Sequence, residues 1–220
     1  MRKTAVRFNS FLTAACFALA GAPALAADWG EMLSREDALA QLHSPDSSER
    51  RAGLARLAEI GTSDDVPFML QRLHDDEPLV RGMAEQALWG LWLRANDLSV
   101  NGMFQSSIVL IRQHEIEQAI ATLDEIIAYK PDFAEAWNKR GDAYTHLGDF
   151  DHALADYQQT IRLNPYHFGA MQSCGEIWLE RSDARRSAEY FRRALDLNPN
   201  LYEAEIMLHA LEERLENDRI

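Results

Sequence analysis

The stretch Ala134-Glu135-Ala136-Trp137-Asn138-Lys139-Arg140-Gly141-Asp142-Ala143-Tyr144-Thr145-His146-Leu147-Gly148-Asp149, continued by Phe150 to Asn164 and closed by Pro165, decides the fold. Large and small residues return at helical spacing on both sides of the Leu147-Gly148-Asp149 turn. Pro165 has a counterpart 34 residues earlier, Pro131, and another 34 residues later, Pro199. A fixed period of that length marks a stack of helical hairpins, each burying its apolar face only against its neighbours.

The slots of the repeat have physical reasons. In the middle copy they are Trp137, Gly141, Tyr144, Ala153, Tyr157 and Pro165. The next copy fills them with Met171, Gly175, Trp178, Ser187, Phe191 and Pro199 and adds Ala194, and the first fills them, more loosely, with Met103, Ser107, Leu110, Ala119, Leu123 and Pro131. Gly141 and Gly175 are expected to let the paired helices approach closely. Tyr144, Tyr157, Trp178 and Phe191 are expected to fill the space between hairpins, each buried ring contributing about 1.5–3 kcal/mol. Each proline ends a hairpin, because it cannot continue a helix. This pattern resembles the tetratricopeptide repeat. The resemblance implies three units, 100–133, 134–167 and 168–201, then a capping helix over 202–217, together forming a region 97–220. It also implies a binding scaffold rather than an enzyme.

A second, weaker period of 31 residues precedes the first. Leu39, Leu42, His43 and Arg50 recur as Leu70, Leu73, His74 and Arg81. Helices are expected from Ser34 to His43, from Asp46 to Gly61, after Asp64, and from Asp76-Glu77-Pro78 to about Arg94, with Ser34/Asp37 and Asp46/Glu49 as capping pairs. The string Asp76-Glu77-Pro78-Leu79-Val80-Arg81, with Ala84, Ala87 and Leu88, resembles HEAT-like repeats, which the resemblance extends over 27–96. The first copy departs from it at Gly53 and Arg56. The fold expected is all-α, a right-handed α/α solenoid, with the HEAT-like part packed end-on against the tetratricopeptide units.

The N-terminus reads differently. Arg2, Lys3 and Arg7 precede a short apolar run, Phe11 to Ala20, and Ala24-Leu25-Ala26 is a small-x-small processing signal. Residues 1–26 are expected to be a secretory signal peptide cleaved between Ala26 and Ala27, which makes the mature protein periplasmic or secreted, with no membrane insertion after cleavage. The run is too short to span a bilayer. Cys16 leaves with the signal, so Cys174 is the single remaining thiol and no internal disulfide can form. The chain carries a formal charge of −13, and removing the basic leader makes it more acidic still. Such a surface repels phosphate backbones, which argues against nucleic acid as a partner.

No catalytic, cofactor or metal motif emerges. The seven histidines show no His-x-x-x-His pair and no cluster with cysteine at ligand spacing. Cys174, one residue before Gly175, reads as a buried thiol, although a nucleophile brought to a folded histidine is the enzymatic alternative. Trp89 and Trp92 read as core at the junction of the two periods. Arg181, Arg185, Arg186, Arg192 and Arg193 read as a solvated face with Glu189 as an intrahelical partner. In proteins with the 34-residue pattern the first helix of each hairpin lines a concave groove. The resemblance therefore places Asn101, Phe104, Ile108, Arg112, Asn138, Lys139, Asp142, Thr145, Gln172 and Glu176 in a partner-binding groove, together with Glu135 and Ser173. A clamp for a terminal carboxylate is excluded, because its positions are Phe104, Ile108, Lys139, Gly169 and Ser173, of which only Lys139 is basic. The groove is expected to be apolar at its N-terminal end and acidic beyond, suited to a protein or peptide with an apolar anchor and a basic flank. Two roles fit: a periplasmic interaction scaffold, or an envelope assembly factor for exported chains, as in cytochrome or outer-membrane biogenesis. Fractionation with N-terminal sequencing is expected to find the mature chain in the periplasm beginning at Ala27; a start far from that residue would remove the export assignment.

Overall fold

The structure, a computed structural model, describes residues 33–217. The processing site at Ala26 and Ala27 lies outside them. Among the described residues there are eleven α-helices and no strand.

The first four helices follow the capping logic of the sequence closely. α1 (Arg35–Gln41) starts at Ser34, whose side chain accepts the Asp37 N–H. α2 (Ser47–Ile60) starts at Asp46, which accepts from Ser48 and not through a reciprocal bond to Glu49. α3 (Val66–Gln71) carries Pro67 in its first turn, and α4 (Pro78–Trp92) opens on Pro78, where a missing N–H costs nothing. The 31-residue period reappears as a period of hydrogen bonds. Arg50 Nη1 donates to the carbonyls of Ser44 and Pro45 at 2.9 and 3.1 Å. Arg81 Nη1 donates to those of Asp75 and Asp76 at 2.8 and 3.2 Å. Arg50 also grips the Asp75 carboxylate of the next repeat through Nε and Nη2, at 2.8 and 2.7 Å.

Three hairpins follow, α5 (Leu98–Arg112) with α6 (Ile116–Tyr129), α7 (Ala134–Leu147) with α8 (Phe150–Leu163), and α9 (Phe168–Glu180) with α10 (Ala184–Leu197), then α11 (Tyr202–Asn217). The glycine slots serve close approach. A Cβ on Gly141 would stand 2.8 Å from the Tyr157 ring, and one on Gly175 would stand 2.9 Å from Phe191. Tyr157 and Phe191 are fully buried, each facing the glycine of its own hairpin and packing also on the next helix along the array, Tyr157 with Ala170, Cys174 and Ile177 of α9 and Phe191 with Ala204 and Leu211 of α11. Tyr144 and Trp178 are half-buried. Tyr144 stacks on His152, and Arg186 covers the Trp178 ring at 4.2 Å.

The N-terminal helices do not stack end-on onto α5. They fold back along the edge of the array. Asn96 adopts a left-handed conformation, φ 55°, just after α4, and Asp97 caps α5, so the chain reverses in a few residues. α4 then runs past the junctions between successive hairpins. Arg81 Nε donates to Asn200, beyond the third hairpin. Trp89 and Trp92 pack on His167 and Phe168, before the third. Leu93 and Ala95 join the cluster that holds Phe133 and Ala136, before the second. The buried core of α1–α4 is therefore continuous with Phe168, Met171 and Ala194. What holds them there is aromatic packing: both tryptophans meet His167 and Phe168, with ring centroids 5.0 to 5.5 Å apart.

Trp92→Ala is expected to lower stability by about 3–5 kcal/mol, the usual cost of deleting a large buried ring. Urea denaturation should show both halves losing structure in one transition. Gly90→Ala on the same helix, where nothing lies within 4 Å of an added Cβ, should leave the midpoint unchanged or raise it.

Candidate functional site

The hairpin register decides which residues share a wall. Stepping by 34 residues aligns Glu135, Gly169 and Glu203; Asn138, Gln172 and Ile206; Lys139, Ser173 and Met207; Asp142, Glu176 and Ala210. Each set occupies the same face of α7, α9 and α11. Tyr157 ties the first two helices together. Its hydroxyl donates to Asp142 Oδ1 at 2.8 Å and is also engaged by Ser173.

α5 adds little to this wall. Phe104 is 0 % exposed, edge-to-face with Phe133 at 5.1 Å. It is core and not groove, because the linker after α4 covers it. Asn101 is spent on that linker, accepting the Ala95 N–H at 3.0 Å. Ile108 is half-buried against the same cluster, and Arg112 alone stands exposed. The expected apolar N-terminal end is thus closed.

On α7 the polar residues largely satisfy one another. Glu135 and His167 are both fully buried, with His167 Nε2 2.6 Å from Glu135 Oε1. His167 Nδ1 accepts the Ala170 N–H and so caps α9, which leaves Nε2 as the N–H that donates to Glu135. Asn138 donates to the other Glu135 oxygen at 3.1 Å. Burial alone would raise the Glu135 carboxyl; His167, Lys139 and Asn138 outweigh it, and it titrates below the usual carboxylate range. Lys139 is buried with its ammonium 2.6 Å from Asp142 Oδ2. Burial lowers the Lys139 ammonium and its two acids more than restore it. Asn138 and Lys139 are therefore structural members of this network, correcting their expected role as free contacts. Asp142 and Thr145 are half-buried, and Thr145 donates to the Gly141 carbonyl at 2.9 Å.

α9 and α11 hold the open part. Gln172 donates to Glu176 Oε1 at 2.9 Å, both half-buried. The Glu176 carboxyl is raised, first by burial and then by repulsion from Glu203 and Asp142, against the Gln172 bond. Ile206 and Met207, 65 % and 42 % exposed, complete the wall. They were missed in the sequence because 202–217 was read only as a cap, although the 34-residue step from Gln172 and Ser173 points to them.

The other candidates fall elsewhere. Cys174 is fully buried, and burial pushes its thiol up to about 12, so it stays protonated. Among the described residues no group of three or more His, Cys, Asp or Glu could hold a metal, and no helix is long and apolar enough to cross a membrane. The arginines of the last hairpin find partners other than Glu189: Arg181 pairs with Asp151 of α8 and Arg192 with Glu212 of α11, while Arg193 lies over Tyr190 on its own helix.

Comparison with known proteins agrees with this register. Residues 134–167 match the tetratricopeptide repeat family. A TPR repeat-containing protein of Rhizobium etli is 27 % identical over 128 residues, 58 % of this chain and 63 % of that protein. Human superkiller complex protein 3 is 36 % identical over 64 residues, 29 % of this chain and 4 % of its own length. The chain thus matches less than two thirds of either relative. Among solved structures, the first TPR of Spaghetti (RPAP3) bound to the HSP90 peptide SRMEEVD has a TM-score of 0.51 at 20 % identity, covering 53 % of this chain and 93 % of that one. The Sgt2 TPR domain from Aspergillus fumigatus has a TM-score of 0.52 at 14 % identity, covering 56 % and 83 %. Residues 134–167 are thus a tetratricopeptide repeat, and the described residues form an all-α helical-repeat solenoid.

The lowered carboxyls give a pH prediction. Glu135, Asp65 and Asp75 are each held below their ordinary values in the folded chain, the aspartates by Arg35 and Arg50 against burial. A depressed carboxyl contributes stability above its unfolded pKa of about 4, and that contribution disappears as pH falls through the folded value. The urea midpoint is expected to hold from pH 8 to about 5 and to drop below about 4. Glu135→Gln should flatten that drop; identical acid slopes would show that Glu135 adds no charge-linked stability.

Proposed function

We propose that this protein is a periplasmic interaction scaffold that holds a segment of a partner protein against the wall shared by α7, α9 and α11. The carrying observation is that wall itself. Three successive first helices present one aligned face, and on α9 and α11 its polar and apolar side chains are not consumed by the fold. A groove fixed before the partner arrives lowers the ordering cost of association. The solved neighbour with an HSP90 peptide supports peptide capture by an array of this kind. The peptide named there is acidic at its end, whereas the wall here carries Asp142, Glu176 and Glu203. The ligand of this chain is therefore of opposite sign.

The periplasmic part of the reading rests on the basic, apolar and Ala24-Leu25-Ala26 pattern of the leader. The N-terminal pairs are, on this proposal, HEAT-like repeats; the recurrence of the Arg50 hydrogen bonds at Arg81 supports it. They brace the array from its edge, with Trp89 seated over the Gly169 position of the wall, and leave Gln172 and Glu176 beyond it half-buried. A binding role also suits a thiol that stays protonated in the core.

Crosslinking in the native envelope, followed by identification of the captured protein, tests the reading. Asp142→Arg with Gln172→Arg, in a variant that keeps its helical circular-dichroism signal, should lose the partner at least tenfold. Undiminished capture would move the site off this wall.

A further inference from the structure

α11 carries more apolar surface than a cap requires. A terminal helix needs one apolar stripe toward the array and a polar outer face. The stripe toward the array is Ala204, Leu208, Leu211 and Leu215, packed on Ala188 and Phe191 of α10. A second set, Tyr202, Ile206 and Met207, points away from that core and is 65 %, 65 % and 42 % exposed. Scattered exposed apolar residues are ordinary, but three within two turns of one helix form a patch.

The patch has a charged border on one side. Glu203 lies three and four residues before Ile206 and Met207, and so shares their face. Glu176 of α9 stands next along the wall, close enough for Glu203 to repel it. Glu176 accepts only from neutral Gln172, and neither carboxylate makes an ion pair among the described residues. By contrast Asp142, the next acid along, already holds Lys139.

We propose that the α9–α11 end of the wall is a subsite for a basic amphipathic segment, an apolar side chain resting on Ile206 and Met207 while Lys or Arg on its flank meets Glu176 and Glu203. This rests on the groove reading above and names the partner's chemistry. Charge complementarity selects the occupant. A cation at this border relieves the repulsion between the two carboxylates, and an anionic or purely apolar segment does not.

Fluorescence anisotropy with three labelled synthetic peptides tests it on the mature chain. One has a leucine flanked by two lysines on each side; one replaces the lysines with glutamates; one keeps the lysines and replaces the leucine with serine. The lysine–leucine peptide should bind at least tenfold more tightly than either of the others, and more weakly as salt is raised. Ile206→Ser with Met207→Ser should abolish the preference for leucine. Glu176→Gln with Glu203→Gln should abolish the preference for lysine and most of the salt dependence. All four positions are exposed or half-buried, so urea midpoints should match the parent. Equal binding of the three peptides, no binding, or variants indistinguishable from the parent would overturn the subsite. So would light scattering that finds a dimer broken by Ile206→Ser with Met207→Ser, since the patch would then be an interface between copies. Loss of the native partner on Asp142→Arg with Gln172→Arg but not on the α11 changes would keep the groove and remove this subsite alone.

Discussion

Two indole rings set against one gap hold the molecule in shape. Trp89 and Trp92 meet edge to face at 5.3 Å, and Trp92 stacks on His167 at 5.0 Å with the planes 20° apart. The contact exists because residue 169 has no side chain. A Cβ there would stand 2.8 Å from the tip of Trp89. In the same register the second unit and α11 carry glutamate, Glu135 and Glu203, and the first unit carries Asn101. The array has thus given up a wall residue to seat an N-terminal ring. In a stack where each hairpin touches only its neighbours, curvature is otherwise set by small local angles. A helix fastened at Asn200, His167 and the Phe133 cluster ties three junctions to one rigid rod.

The same fastening explains how the 31-residue series ends without a cap of its own. Within it, each arginine fixes two carbonyls of its own turn and a side chain of the next unit. For Arg50 that side chain is Asp75. For Arg81 no further unit follows, and Asn200 takes the place, accepting from Arg81 Nε at 3.0 Å and donating to the Leu73 carbonyl at 2.9 Å. An amide serves where a carboxylate would not, because it can give as well as accept. The turn between the last hairpin and α11 therefore acts as the next unit of the N-terminal series, and two repeat systems of unequal period close on each other.

Much of this was legible in the residues. The hairpins follow from the prolines and glycines, whose effects are local: Gly141 and Gly175 face large rings, and Ser34 and Asp46 cap the helices they precede. The placement of α4 was not legible. Trp89 and Trp92 three residues apart read as junction core whichever neighbour they meet, and the left-handed turn falls on Asn96, φ 55°, where no glycine marks it. Burial within the groove was hidden for a related reason. Phe104 sits at a groove position of the repeat, yet the linker around Ala95 closes over it. Asn138 and Lys139 look free in the register but meet Glu135 and Asp142 three residues away on the same helix. His167 carried no pattern at all, because its partner Glu135 is 32 residues distant.

The brace and the wall are one connected structure. Trp92 presses on His167; His167 caps α9 through Nδ1 and holds Glu135 through Nε2; Glu135 fixes Asn138. Beside it Lys139 bridges to Asp142, which holds Tyr157 between the second and third hairpins. A buried network with all these bonds made is rigid, since breaking one leaves a polar group unpaired in the core. That rigidity divides the wall. The α7 third is locked from behind by the N-terminal helix and has few groups to offer. In the α9–α11 third Glu176 accepts only from neutral Gln172, and Glu203, Ile206 and Met207 stand exposed. The recognition surface we propose is therefore the end of the array farthest along the sequence from the helices that brace it.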